Sequence, residues 1–274
     1  MIDAYEAERS ARLAAQREVM KRLPMPASTE RPEPNSMQRA FVGNLLKIAE
    51  SGERRALLIS ATGTGKTYAA AFAVRELKPR RMLFVVHREQ IARQALASFR
   101  RVLGDEGRTY GMLGGGSRDA QADCVFATMQ TLSRAHVLSE FKPDAFDVII
   151  VDEVHRAAAE SYRKIMAYFA PKLWFGMTAS PDRPDGEDIY ALFDHNIAYE
   201  IRLKTALEED LLCPFHYFGV KDVTVGGRML EDLSDFRLLT AQERVSNILD
   251  RAQFFGWSGP RVKGLVFCSR TQEC

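Results

Sequence analysis

Residues 57–67 read LLISATGTGKT, and this stretch decides the fold. The apolar run at 56–59 has the character of a strand buried on both faces. It breaks at residues 60–65 and gives way to Lys66, Thr67 and an alanine-rich helical run over 68–77. Strand, glycine-bearing loop and helix, in that order, are the setting in which Ala61-x-x-x-x-Gly65-Lys66-Thr67 serves as a phosphate cradle, although alanine stands where the pattern usually begins with glycine. Gly63 and Gly65 can adopt left-handed backbone angles, so the amides of Ala61, Thr62, Gly63, Thr64 and Gly65 can converge on one anion. The following helix adds the positive end of its dipole. Lys66 would reach the β- and γ-phosphates, and Thr67 would ligate Mg²⁺. The alternative, a glycine turn with a surface lysine, leaves the flanking strand and helix unexplained. The stretch reads as a nucleoside triphosphate site.

A second stretch supplies what such a site needs. Residues 146–151 (FDVIIV) read as a buried strand that delivers Asp152, Glu153, Val154 and His155. Adjacent carboxylates at the end of a buried strand are costly unless a cation or a task holds them there. Beside a phosphate loop, Asp152 would hold Mg²⁺ and Glu153 would polarise the attacking water. A helix cap by Asp152 would account for only one of the two. Metalloprotease chemistry is excluded, because no HExxH occurs.

Further strands are expected at 81–86, 123–127 and 173–176, each leading to residues with chemical handles. After the first comes Arg88, within a span (78–101) holding seven basic residues and one acidic, Glu89. That excess could track a phosphodiester backbone or be a solvated helix face. After the second come Thr128 and Gln130, which can bond phosphates or cap the next helix. After the third come Thr178 and Ser180, whose hydroxyls could sense the γ-phosphate through His155 or cap a turn before Pro181. Gln38 opens a helical run, and its amide could read an adenine edge or simply be solvated. Residues 104–116, with six glycines, read as a mobile loop. Further strand candidates lie at 198–201, 214–220 and 263–268.

The 274 residues carry 38 Lys and Arg against 36 Asp and Glu, so net charge identifies no partner. Cys124, Cys213, Cys268 and Cys274 are scattered without metal-ligand spacing, and three lie in apolar runs, so buried free thiols in a reducing cytoplasm are expected. No membrane span or signal core is present in the sequence. The expected organisation is an exposed helix over 1–23, a proline-rich linker over 24–36, an α/β domain over 37–220, a linker over 221–239 and the start of a second domain over 240–274. Because 263–268 reads as the first strand of a new sheet with nothing to pair against, the sequence is expected to continue beyond it.

Alternating strands and helices with functional residues at strand ends describe a doubly wound α/β fold with a parallel sheet. The ordered set Gln38, ATGTGKT (61–67), VVHREQIARQ (85–94), FATMQTL (126–132), DEVH (152–155) and MTASP (177–181) resembles the superfamily two helicases. Within them it is similar to the DEAD/DEAH-box branch related to the helicase (Res) subunits of type III restriction enzymes. The resemblance covers nearly all of 35–270. It implies a RecA-like P-loop domain that binds ATP with Mg²⁺, with Gln38 on adenine and residues 61–67 on the triphosphate. It further implies Lys66, Asp152 and Glu153 in hydrolysis, His155, Thr178 and Ser180 in coupling, and Arg88, Thr128 and Gln130 on nucleic acid. The implied function is an ATP-dependent helicase or translocase, on DNA rather than RNA, in restriction, defence or repair, with a nuclease or other domain as a partner. Ser180 where many relatives have Thr, and Val154 within the box, are mild departures. The family's arginine fingers belong to a second RecA-like domain, of which GLVFCSR (264–270) resembles the opening motif, so weak hydrolysis is expected of this chain by itself. A nucleotide-gated binder without turnover and an RNA helicase are the competing readings. A small-molecule kinase would leave Asp152, Glu153, Thr178 and Ser180 without roles.

Overall fold

The structure, a computed structural model, describes residues 31–104, 107–156, 160–181, 188–219, 224–225, 228–229, 242–256, 264–265 and 267. The expected helix at 1–23 and the linker up to residue 30 lie outside them. The chain divides into two compact units, Met1–Cys213 and Pro214–Cys274.

The first unit is built around strands whose side chains are apolar on both faces. Helix α1 (Ser36–Glu50) leads to β1 (Arg55–Ser60), α2 (Lys66–Leu77), β2 (Met82–Val86) and α3 (Glu89–Leu103). Then come β3 (Tyr110–Gly114), β4 (Ser117–Arg118), β5 (Cys124–Thr128) and the short helices α4 (Met129–Leu132) and α5 (Ala135–Leu138). The unit continues through β6 (Val148–Asp152), α6 (Glu160–Tyr168), β7 (Leu173–Thr178), α7 (Ile189–Leu192), β8 (Ile197–Ile201) and α8 (Leu203–Glu208). The eight strands form one sheet in the order β4-β3-β5-β2-β6-β7-β1-β8. All pairings are parallel except the β3–β4 hairpin. Parallel pairing requires crossovers that cover both faces, which is why β2, β5, β6 and β7 are buried throughout.

Two cores result. On one face Phe41 and Leu45 of α1, Ala69–Val74 of α2 and Phe99 of α3 pack on Phe84, Phe126 and Phe175. Small side chains let α2 lie close to the sheet between its neighbours. On the other face Phe141, Phe146, Tyr162, Ile165 and Phe169 surround Ile149 and Trp174. A third, smaller cluster joins Met37, Ala61, Ile201 and Ala206, with Leu211 and Leu212 packed against it.

The glycine-rich stretch 104–116 corrects an expectation. It contains β3, which pairs with β5 through Tyr110↔Cys124 to Leu113↔Ala127. Gly115 (φ +59°) and Gly116 (φ +86°) close the hairpin to β4, as a two-residue turn with two positive φ angles requires. Gly111 serves close approach, since a Cβ there would stand 2.2 Å from the Asp119 carbonyl oxygen. Within the basic excess over 78–101, several side chains have partners in the first unit. Arg81 donates to the carbonyls of Ala120 and Ala122, Arg80 pairs with Asp147, Arg93 with Glu89, and Arg101 donates to Tyr68. Of the cysteines, Cys124 is buried as expected but Cys213 is exposed, because it sits where the chain leaves the first unit.

In the second unit, β9 (Thr224–Val225) and β10 (Arg228–Met229) pair antiparallel, and α9 spans Gln242–Phe255. The strand expected at 214–220 does not form over 214–219. Phe215, Tyr217 and Phe218 are exposed there, with no neighbouring strand among the described residues to bond their backbone. Of 263–268, the described residues 264, 265 and 267 lie outside any strand, and the others lie outside the described residues. No helix among the described residues is long and apolar enough to cross a membrane.

Candidate active site

The phosphate loop leaves β1 at Ser60 and re-enters helix at Lys66. Gly63 (φ +93°) and Gly65 (φ +90°) both take the left-handed conformation, so the loop closes without the steric cost a side chain would bring. Thr64 braces it from inside, its buried hydroxyl donating to the Ala61 carbonyl at 2.8 Å and sharing a 2.5 Å hydrogen bond with Ser60 Oγ. Thr62 is exposed on the loop and Thr67 half-buried in the first turn of α2. Lys66 is folded back, with Nζ donating to the carbonyls of Ser60 (2.9 Å) and Ala61 (3.3 Å). Burial pushes its pKa below the ordinary lysine value, and the charges of Asp152 and Glu153 pull it back up.

Gln38 reaches the same loop from α1, 27 residues upstream. The helix starts in a capping box in which Asn35 Oδ1 accepts from Gln38 N and Gln38 Oε1 accepts from Asn35 N, both at 2.9 Å. The remaining end of the amide, Nε2, donates to the Gly65 carbonyl at 3.2 Å. Gln38, which the sequence leaves open between an adenine-reading amide and a solvated helix start, is only 6% exposed.

Two strands from β1, β6 ends in Asp152, which is 8% exposed. Burial, then the neighbouring Glu153, raise its pKa to about 6, against the pull of the Glu153 amide and Lys66. Glu153 itself has φ +53°, a left-handed angle rare for a residue with a long side chain. That turn brings its carboxylate to 3.1 Å from His155 Nδ1, which is also 3.1 Å from Thr178 Oγ1. Thr178, fully buried at the end of β7, accepts in turn from the Ser180 amide at 3.2 Å. The result is an unbroken chain of contacts from Glu153 through His155 and Thr178 to residue 180, spanning two adjacent strand ends.

The remaining sequence-derived candidates lie farther along the same sheet edge. Arg88 is exposed at the start of α3 after β2, and Gln130 is exposed after β5. Thr128 differs: it is buried, and its hydroxyl donates to Thr131 at 2.9 Å, so its side chain orients α4 and does not face solvent. Several residues here were not singled out from the sequence. His87 Nδ1 accepts from Gln130 Nε2 at 3.2 Å, linking the ends of β2 and β5. Gly114–Gly116, Arg118, Thr131, Arg134 and His136 line a cleft of about 300 Å³. A Gly-Gly pair between two short strand-like runs was the signal available for that hairpin.

Residues 31–183 match the model of the family described as type III restriction enzyme, res subunit. The chain belongs to this family. Among its curated relatives is a type I restriction enzyme EcoAI endonuclease subunit of Escherichia coli, 26% identical over 231 residues, which cover 79% of this chain and 28% of the relative. Another is the DNA 3'-5' translocase XPB2 of Sulfurisphaera tokodaii, 29% identical over 182 residues, covering 66% of this chain and 38% of the relative. The chain therefore spans well under half of either protein. Among solved structures, a nuclease-deletion mutant of the type ISP restriction-modification enzyme LlaGI, in complex with a DNA substrate mimic, superposes with a TM-score of 0.53 at 20% identity, over 66% of this chain and 21% of that one. At that identity the likeness bears on the fold alone, that of the RecA-like helicase domains. The doubly wound α/β reading of the sequence stands.

Proposed function

We propose that this chain is the nucleotide-binding part of an ATP-dependent DNA helicase or translocase that hydrolyses ATP. One observation carries the reading: the strand ends lie in a single row. Along the edge they run from Gln130, through Arg88, Asp152–His155 and Thr178–Ser180, to the phosphate loop. Nucleotide chemistry sits at one end of that row and polar, basic groups at the other, with the Glu153–His155–Thr178 contacts between them.

In this reading Gly63, Gly65 and Lys66 cradle the triphosphate, Gln38 meets adenine with its second N–H, and Thr67 with Asp152 would hold Mg²⁺. When bound, that cation neutralises phosphate charge. The donors fit it: Asp152 is buried enough to resist ionisation, which a neighbouring cation reverses. Among the described residues no cluster of three His, Cys, Asp or Glu exists to hold a metal. Glu153 accepts the proton of the attacking water, and His155 orients the carboxylate and relays its position to Thr178. Arg88 and Gln130 take the backbone of a DNA strand, with Thr128 fixing the turn beneath them. The names of the type I restriction endonuclease subunit and of the DNA translocase support DNA over RNA, and a nuclease or other defence or repair partner. The domain limits 37–220 and 240–274, and a cytoplasmic location, belong to the same proposal.

The test is steady-state ATP hydrolysis with single-stranded DNA, duplex DNA or RNA, comparing the native chain with Glu153→Gln. The expected result is DNA-stimulated turnover that falls by about 100-fold or more in Glu153→Gln while ATP still binds. Turnover indifferent to DNA, or retained in the variant, would sink the reading. Binding without turnover in the native chain would make it a nucleotide-gated binder.

A further inference from the structure

The small third core joins parts of the molecule that the two sheet-face cores do not. Met37 precedes Gln38, Ala61 opens the phosphate loop, and Ile201 and Ala206 belong to β8 and α8. Leu211 and Leu212 pack against this cluster, and Cys213, the next residue, is the last of the first unit. The turn holding them is tied down by its backbone, since the amides of Leu211 and Leu212 both donate to the Ala206 carbonyl, at 3.0 and 3.2 Å. The Ala61 amide likewise donates to the Ile201 carbonyl at 3.0 Å.

Leu212 also touches the loop at a second point. A Cβ on Gly63 would stand 3.0 Å from Leu212 Cδ2. The methyl of Ala61 is buried in the cluster, so alanine in place of the usual glycine gives the loop an apolar foothold there. The loop is therefore held by β8 at its first residue, within the cluster on which the exit turn packs, and Leu212 crowds it two residues later. Lys66 now bonds the carbonyls of Ser60 and Ala61, and it must release them to reach a phosphate. A shift of the arc from Ala61 to Gly63 would press on the Leu212 side chain, because packed side chains transmit displacement.

We propose that Leu212 is a positioning residue that couples occupancy of the phosphate loop to the segment leaving the first unit at Cys213. The proposal rests on the nucleotide-binding reading above. Coupling of this kind is reciprocal, so whatever holds the exit segment also tunes nucleotide affinity.

The chain carries its own reporter. Cys213 is exposed, whereas Cys124 is buried with its thiol pushed up to about 11, which leaves it unreactive at neutral pH. In a chain carrying Cys268→Ser and Cys274→Ser, the rate of Cys213 modification by an aromatic disulfide is measured as Mg·ADP is titrated. Binding is followed in parallel with a fluorescent ADP analogue. The expected result is a rate change of about threefold or more, with the same midpoint as binding. Leu212→Ala should bind nucleotide yet lose the change, and Leu212→Met should restore it. Saturated binding with an unchanged Cys213 rate, or a change that survives Leu212→Ala, would refute the coupling. No ADP binding at all would instead strike the nucleotide-site reading beneath it.

Discussion

Gln38 Nε2 donates to the Gly65 carbonyl at 3.2 Å, and a Cβ on residue 65 would stand only 2.7 Å from that same nitrogen. The Gln38 amide and the phosphate loop thus share one close contact. Gly65→Ala would meet both this crowding and the cost of a side chain at φ +90°. Nucleotide affinity should fall about tenfold or more and thermal stability by about 1–2 kcal/mol. Gly43→Ala is the control, because its Cβ would meet nothing within 4 Å on an exposed face of α1. It should raise stability by about 0.5–1 kcal/mol. Calorimetric titration and thermal unfolding of both variants check this.

Gln38 has two duties that substitution can separate. Its Oε1 completes the capping box, and its Nε2 holds Gly65. Gln38→Glu keeps an acceptor for the Asn35 amide but sets a carboxylate against a carbonyl. Gln38→Ala removes both contacts. Stability should fall by about 1 kcal/mol in Gln38→Ala and by less in Gln38→Glu. Both should lose nucleotide affinity, Gln38→Glu at least as severely. Urea unfolding combined with ATP and GTP titrations separates the two duties.

Thr178→Val tests the relay. Valine fills the same buried space but leaves the Ser180 amide without its acceptor and removes one neighbour from His155 Nδ1. A loss of about 1–3 kcal/mol is expected. DNA-stimulated hydrolysis should fall about tenfold while nucleotide affinity stays near the native value. Thr178→Ser, which keeps the hydroxyl, should behave as the native chain does. Equal hydrolysis in Thr178→Val and Thr178→Ser would remove Thr178 from the coupling.

What the sequence made legible follows from where the physics is local. A strand buried on both faces leaves an unbroken apolar run, so β1, β2, β5, β6 and β7 could be read directly, as could the residues at their ends. The partners of those residues were another matter. Gln38 meets Gly65 across 27 positions, and Leu212 meets Gly63 across a longer interval, so only packing reveals either contact. The hairpin at 110–118 was obscured because six glycines suggest mobility, although several of them allow close approach or a tight turn. The run at 214–219 shows the converse: a good strand composition does not make a strand where no neighbour among the described residues bonds it.

Asp147 lies at the opposite end of β6 from Asp152, and it should set an acid limit on stability. Its Oδ2 accepts from the Arg80 amide at 2.7 Å, and Oδ1 pairs with Lys172 at 3.0 Å. Burial alone would raise its pKa, but the Lys172 ammonium and the amides of Arg80 and Arg81 outweigh it and hold the pKa below the usual value of 3.8. A carboxyl depressed on folding stabilises fully above its unfolded pKa and loses that contribution as pH falls through the folded one. Lys172 and the Arg80 guanidinium are largely exposed, so most of the effect belongs to the backbone bonds and should amount to about 1 kcal/mol. Asp147→Asn should therefore be less stable than the native chain by about that much at pH 7. The gap should stay constant down to about pH 4 and close below it, as the native carboxyl protonates. Urea unfolding across that range measures it. A gap that persisted undiminished at the acid end would assign the loss to packing and not to charge.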